Sequence, residues 1–237
     1  MSGPAVKLAS RKACLSPKVC LAKVSDPSSQ TRIVPDTPKS RRTRGRILDV
    51  AMRLFGEIGY AGATNARIAE AAGLTRGAML YHFPDRESLV EAAVAYIQEA
   101  RQQLLQTAAE TAPRGPDRTD HAIDAYWRVL HEPSFVAFAE LERAARTDPL
   151  VRARVAEAQA AFDRAEIGDQ LFDLVQGGVG ARLQAGRDLA RFMLEGLAQA
   201  RLAYDSEART ANLLAVIKRA ARMLNRKGSE QDLWPEG

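Results

Sequence analysis

The first sustained apolar rhythm begins after Arg41, where Ile47, Leu48, Ala51, Leu54, Phe55 and Ile58 recur at steps of three and four residues. That spacing lines one face of a helix over about residues 42 to 58, with Gly59 as its left-handed C-terminal cap. The link Tyr60 to Ala63 then delivers the chain to Thr64, whose hydroxyl can accept from the free amides of a second helix at about 65 to 72. Ile68, Ala69 and Ala72 mark its inward side. Gly73, Leu74 and Thr75 follow as a tight corner. Glycine takes positive φ without steric cost, leucine anchors the corner and threonine caps a short third helix at about 76 to 82. Two short helices joined this closely must cross steeply, which frees the outer face of the third to enter a major groove about 12 Å wide.

Pro84 interrupts the pattern and Asp85 is placed to cap a longer helix reaching about residue 110, with Leu89, Ala93, Tyr96, Ile97, Ala100 and Leu104 along its apolar stripe. Pro113, Arg114, Gly115 and Pro116 mark a loop, and helical segments follow at about 117 to 131, 134 to 146 and 149 to 175. Gly177, Gly178, Gly180 and Gly186 precede two last amphipathic helices at about 187 to 204 and 207 to 226. Leu189, Phe192, Met193, Gly196, Leu197, Ala200 and Ala203 line one, and Leu213, Leu214, Ile217, Ala220, Ala221 and Leu224 line the other. Residues 228 to 237 read as a tail. The implied fold class is all-α.

Composition agrees with that reading, since 46% of the 237 residues are apolar but only 6% aromatic, and Ala, Leu, Arg and Glu dominate the body of the chain. Charge is unevenly divided. Residues 1 to 46 carry about +9 of formal charge, whereas the remainder is mildly acidic, so a polyanion-binding front precedes a separate body. Five prolines and no sustained period make residues 1 to 40 a disordered basic arm; it could follow DNA, or be a transit peptide or the product of a misassigned start. Cys14 and Cys20 have no histidine or further cysteine at a zinc-ligand spacing, and His82, His121 and His131 form no cluster, so neither metal nor cofactor is expected. No run approaches 18 consecutive apolar residues, and a cytoplasmic setting without a membrane partner is expected. No Glu-x-x-His pair, phosphate loop, nucleophile elbow or zincin motif is present, so no catalytic residue is named and an enzyme is not expected.

The stretch from Thr43 to Leu89 resembles the DNA-binding domain of the tetracycline-repressor (TetR/AcrR) family of bacterial regulators. The resemblance rests on the Phe55-x-x-x-Gly59-Tyr60 end of the first helix and on Thr64, Ile68-Ala69 and Ala72-Gly73. It extends to His82-Phe83-Pro84 with Arg86-Glu87 and Leu89. It covers about a fifth of the chain. It implies nine helices, a dimer built from the last two, and an effector pocket in the central ones. One departure concerns the tip: where the family most often has Leu-Tyr, this sequence has Met79-Leu80, with Tyr81 one position later. Either Tyr81 takes a phosphate contact from that neighbouring position, or Leu80 makes only an apolar contact, for example with a thymine methyl.

The expected organisation is a helix-turn-helix domain at 41–88 and an effector-binding and dimerisation domain at 89–227. Thr75, Arg76, Gly77, Met79 and Leu80 are the groove-facing candidates, and Arg76 is chemically best suited because a guanidinium can bond guanine O6 and N7 together. Thr64, Tyr81, His82 and Arg86 are placed on phosphates, the last because a cation at a helix N-terminus needs compensation from elsewhere. Arg44, in the run Arg41, Arg42, Arg44 and Arg46, could reach backbone or minor groove. Effector candidates are Tyr96, Tyr126, Trp127, His131, Phe135, Phe138, Phe162, Phe172 and Phe192, and the low charge among them suggests a mainly apolar small molecule. The function expected is a repressor that binds a palindromic double-stranded operator as a homodimer, paired through about residues 187 to 226, and is released by that ligand. The competing reading is a DNA-binding architectural factor without a ligand switch.

Overall fold

In the computed structural model, which describes residues 37–113, 118–164, 181–201, 203 and 206–224, the described residues form nine α-helices and no strand. They are α1 (Pro38–Gly62), α2 (Asn65–Ala71), α3 (Arg76–His82), α4 (Arg86–Glu110), α5 (Arg118–Val129), α6 (Pro133–Ala144), α7 (Pro149–Arg164), α8 (Ala181–Ala200) and α9 (Glu207–Leu224). The basic arm up to residue 36, the Gly177 to Gly180 interval, Phe172 and the tail lie outside the described residues.

Local chemistry explains where the helices begin. The Thr37 hydroxyl accepts from the Ser40 amide at 3.1 Å, and Pro38 occupies the first helical position, where its missing N–H costs nothing. The first helix therefore starts within the segment expected to be an unstructured arm, four residues ahead of the apolar rhythm. Gly59 has φ 72° with extended ψ, so it kinks α1 instead of ending it, and the helix adds one more turn to Gly62. Thr64 and Thr75 cap α2 and α3, accepting from Arg67 N at 3.3 Å and Ala78 N at 3.1 Å. Gly73 takes φ 63° in the corner between them. Asp85 and Ser88 form a reciprocal capping box on α4, and the Ser88 amide holds the Asp85 carboxyl below its usual range.

One apolar cluster joins α1 to α4 with α6 and α7. Ile47, Ala51 and Phe55 meet Ile68, Met79, Phe83, Leu89, Ala93 and Ile97, and Ala137, Phe138, Leu141 and Val151 close it from the other side. α6 lies so close along α1 that a Cβ at Gly56 would come within 3.3 Å of Val136 Cγ1. A second cluster holds Leu105 of α4, Ile123 and Tyr126 of α5, Phe135, Phe162, Leu194 of α8 and Ile217 of α9. Lys218 and Arg222 of α9 pair with Asp124 and Asp120 of α5, fixing that helix beside the cluster. The apolar residues of α8 and α9 thus divide. Leu194, Leu197, Leu214, Ile217 and Ala221 pack inward, whereas Leu189, Phe192, Met193, Leu213, Val216 and Met223 are exposed.

A single guanidinium fastens α4 to the α1–α2 link. Arg86 donates through Nη1 to the Ala63 carbonyl at 2.8 Å and to Asn65 Oδ1 at 3.2 Å, and through Nη2 to the Tyr60 carbonyl at 3.1 Å. Its carbon centre lies 4.5 Å from the Tyr60 ring centroid and 5.7 Å from that of Phe55. Farther along α4, the Tyr96 hydroxyl donates to Asp49 of α1, and that bond is the main reason the phenol is pushed up to about 12. Arg86→Ala is expected to lower the unfolding free energy by about 2 kcal/mol, because two carbonyls at a helix end lose a charged donor. Urea denaturation followed by circular dichroism measures it, and an unchanged midpoint would contradict this role.

Candidate functional site

The α2–α3 corner presents its caps and one helix face outward. Thr64, Thr75, Arg76, Gly77, Leu80 and Tyr81 are all exposed, with Leu80 at 40% and Tyr81 at 41%. Thr75 already uses its hydroxyl as the α3 cap, and Thr64 does the same for α2, yet both stand at the surface. The corner itself is closed by Gly73 N to Glu70 O and Leu74 N to Ala69 O, each 2.9 Å, which fixes the crossing of the two helices.

Met79 is corrected by the structure: the groove-facing expectation fails because its side chain is 1% exposed and plugs the first core cluster. It holds α3 down while its neighbour Leu80 points out. His82 is also buried, at 9% exposure, and its Nδ1 has no partner among the described residues. Loss of hydration, with Arg44 close by, holds its imidazole below the usual histidine value, so the ring is neutral near pH 7. Arg44 donates from Nη1 to the His82 carbonyl at 3.1 Å and lies 4.3 Å from the Phe83 ring centroid, tying the start of α1 to the end of α3. Arg86, expected on a phosphate because its helix-end charge needed compensation, finds that compensation in the carbonyls of the α1–α2 link.

A second feature lies in the body, a cavity of about 620 Å³ bounded by α4, α6 and α8 with Gly56 of α1 in its wall. That volume suits a small organic molecule. Of the effector candidates, His131, Phe135, Phe138 and Phe192 line it. Tyr126 lies behind the wall, its hydroxyl donating to Glu195 Oε1 at 2.7 Å; burial first, then Glu195, pushes the phenol well up. Phe162 packs beneath Arg101, Trp127 meets His131 edge-on at 4.8 Å, and Tyr96 is engaged on α1 away from the cavity. The polar wall was not anticipated. It comprises Arg101, Glu142 and Glu195, with the Arg143 side chain bonded to Glu140 and Gln199 at the rim. Glu142 is exposed as a residue, but the water its carboxyl has lost pushes it up against the pull of Arg101. A sequence signal for Arg101 did exist: it stands in register with Ala93, Ile97 and Leu105, where the apolar stripe should be unbroken. Among the described residues, no group of three or more His, Cys, Asp or Glu is arranged to hold a metal, and no helix is long and apolar enough to cross a membrane.

A short-cornered pair of helices packed on a capped third defines a helix-turn-helix protein with an appended helical body. Residues 47–93 match the family described as bacterial regulatory proteins, tetR family. Among curated relatives, the transcriptional repressor AcnR of Corynebacterium glutamicum is 31% identical over 131 residues, which are 54% of this chain and 63% of that protein. The chain thus spans just under two thirds of that relative's length. The transcriptional repressor Rv1474c of Mycobacterium tuberculosis is 32% identical over 167 residues, covering 62% of this chain and 86% of that protein. Among solved structures, a TetR-family transcriptional regulator from Cytophaga hutchinsonii superposes with a TM-score of 0.62 at 16% identity, over 79% of this chain and 96% of that one. The chain belongs to the tetR family of bacterial regulatory proteins.

The opposite burial of two adjacent residues on α3 has a measurable consequence. Met79→Ala should cost about 2–5 kcal/mol of stability as a buried truncation, whereas Leu80→Ala should change it by less than about 0.5 kcal/mol. Thermal unfolding of the two variants side by side checks the orientation of the helix, and equal losses would contradict it.

Proposed function

We propose that this regulator binds a palindromic DNA operator as a homodimer, represses transcription there, and is released when a small molecule enters the cavity between α4, α6 and α8. The outward face of α3 is the observation that carries the DNA reading. Arg76, Gly77, Leu80 and Tyr81 stand free of the core on a helix pinned by Met79, next to a helix start that bears Arg41, Arg42 and Arg46. In this reading residues 41–88 form the DNA-binding part and 89–227 the effector and dimer part. Arg76 reads guanine through its fork, Thr64 and Tyr81 meet phosphates, and Leu80 makes an apolar base contact. Repression is inferred from AcnR and Rv1474c, which are named repressors.

Dimerisation is supported by the exposed apolar residues of α8 and α9. Phe192 at 57% and Val216 at 59% exposure, with Leu189, Met193, Leu213 and Met223, would be covered by the same helices of a second copy in a four-helix interface. Gly196, which has no non-helical neighbour within 4 Å, leaves room for close approach. The cavity supports a ligand switch because its wall includes α6 and Gly56, where Val136 of α6 packs tightly on α1. A ligand that favours a displaced α6 would change the spacing of the two recognition helices, to an extent limited by its differential affinity for the two arrangements.

Selection of bound fragments from genomic DNA followed by footprinting tests the operator, and a footprint without two-fold symmetry would contradict the dimeric reading. Arg76→Ala is expected to weaken the selected site by about 1–3 kcal/mol and to relax preference at one base pair. Unaltered preference would remove Arg76 from base reading. In sedimentation equilibrium the wild-type chain should run at twice the monomer mass, and the Leu213→Glu/Val216→Glu double variant as a folded monomer with weakened operator binding.

A further inference from the structure

Arg101 occupies a position at which α4 should present an aliphatic side chain, between Ile97 and Leu105, and only 5% of it is exposed. Three phenylalanine rings surround the guanidinium, with Phe138 at 3.9 Å, Phe162 at 4.8 Å and Phe135 at 4.9 Å from its carbon centre. Aromatic faces stabilise a cation, but they provide no acceptor for N–H groups in its plane. In that plane, Nη1 donates to Gln98 Oε1 at 2.8 Å. The Arg101 Nε is buried without an acceptor, and so is the Gln98 Nε2 that faces away from this bond. Among the described residues no carboxylate makes an ion pair with Arg101. A buried cation with idle donors is costly unless an acceptor reaches it.

The two carboxylates of the cavity are placed differently. Glu195 already accepts from the Tyr126 hydroxyl, and the Glu142 carboxyl, though its residue is exposed overall, has lost water and is pushed up. The cation therefore feels the charge of both carboxylates, yet neither is bonded to its idle donors. Arg191 of α8 adds positive charge close enough to be felt by both Arg101 and Tyr126. Glu142 and Glu195, in turn, disfavour a ligand with two negative charges. The apolar part of the lining is Leu130, Phe135, Val136, Phe138 and Phe192, and Glu140, Arg143 and Arg146 also reach the cavity.

We propose that the effector is an apolar monocarboxylate, an aryl or alkyl acid, whose carboxylate takes the idle donors of Arg101 while its hydrocarbon part lies among Phe135, Val136 and Phe138. The inference rests on reading this cavity as the effector site. It also sharpens the sequence expectation of a mainly apolar ligand, because one charged group is now specified. A planar guanidinium offers a carboxylate two parallel N–H bonds, which a primary amine cannot use at all.

The test compares 4-phenylbutyrate, 4-phenylbutyramide and 4-phenylbutylamine as probes on the full chain, by calorimetric titration and by displacement of the selected operator fragment. The acid should bind at least about tenfold more tightly than the amide, the amount expected for one charge-assisted bond to a buried group, and the amine more weakly still. Arg101→Met, which fills the phenylalanine cage with an apolar side chain, should erase the preference for the acid. Arg101→Lys, which keeps the charge without the fork, should retain part of it. Equal or tighter binding of the amide or amine to the wild-type chain would overturn the inference, as would failure of all three to bind or an undiminished preference for acid in both variants. Tight binding of the acid without any displacement of DNA would support the carboxylate site and overturn the effector reading on its own.

Discussion

The position of the recognition corner depends on what satisfies the end of α1. A helix terminus leaves carbonyls without partners, and here the Tyr60 and Ala63 carbonyls converge at a point where water is only partly available. Arg86, from the first turn of α4, fills both and stacks over Tyr60 while doing so. Its charge, unfavourable at a helix N-terminus, is balanced by the same carbonyl dipoles. Without this contact the α1–α2 link would lose its hydrogen-bonded brace to α4. Arg44 makes a comparable link at the other end of α3 through the His82 carbonyl. Two arginines thus grip the motif from α1 and α4, leaving its outward face clear of internal bonds.

The body has a different electrostatic problem. Arg101 brings a full charge into an aromatic enclosure, and the protein meets only part of its demand, through three ring faces and one amide oxygen. Burial pulls its guanidinium down from the usual arginine value, although an arginine stays charged in a protein. Stability alone gives no reason for such an arrangement, since an aliphatic residue would pack the same space at lower cost. Recognition gives one.

These two regions share α6. Its Phe138 and Leu141 belong to the cluster that supports the helix-turn-helix, while Phe135 belongs to the cluster of the body, and both phenylalanines line the cavity. Close packing of Val136 on Gly56 leaves little slack between α6 and α1. A displacement of α6 would therefore be felt by α1 directly, because a dense interface yields by shifting as a body.

The parts legible in the sequence are those whose partners lie within a turn. Thr64, Thr75 and Asp85 cap the helices they were expected to cap, and Gly73 adopts the positive φ its corner required, because these interactions join residues two to four apart. Apolar periodicity likewise located the α-helices, with misses at the start of α1, where Thr37 and Pro38 extend the helix without any apolar signal, and at the start of α8, which begins at Ala181 instead of about residue 187. The seven residues of α3 were too few to fix its phase, and only packing decided that Met79 turns in and Leu80 out. Cation roles were equally beyond local reading. Arg44 finds its acceptor 38 residues away and Arg86 up to 26 away, and Arg101 has three rings on two other helices. An arginine's reach and its five donors allow many partners, so its task is set by which groups the tertiary fold leaves unsatisfied beside it.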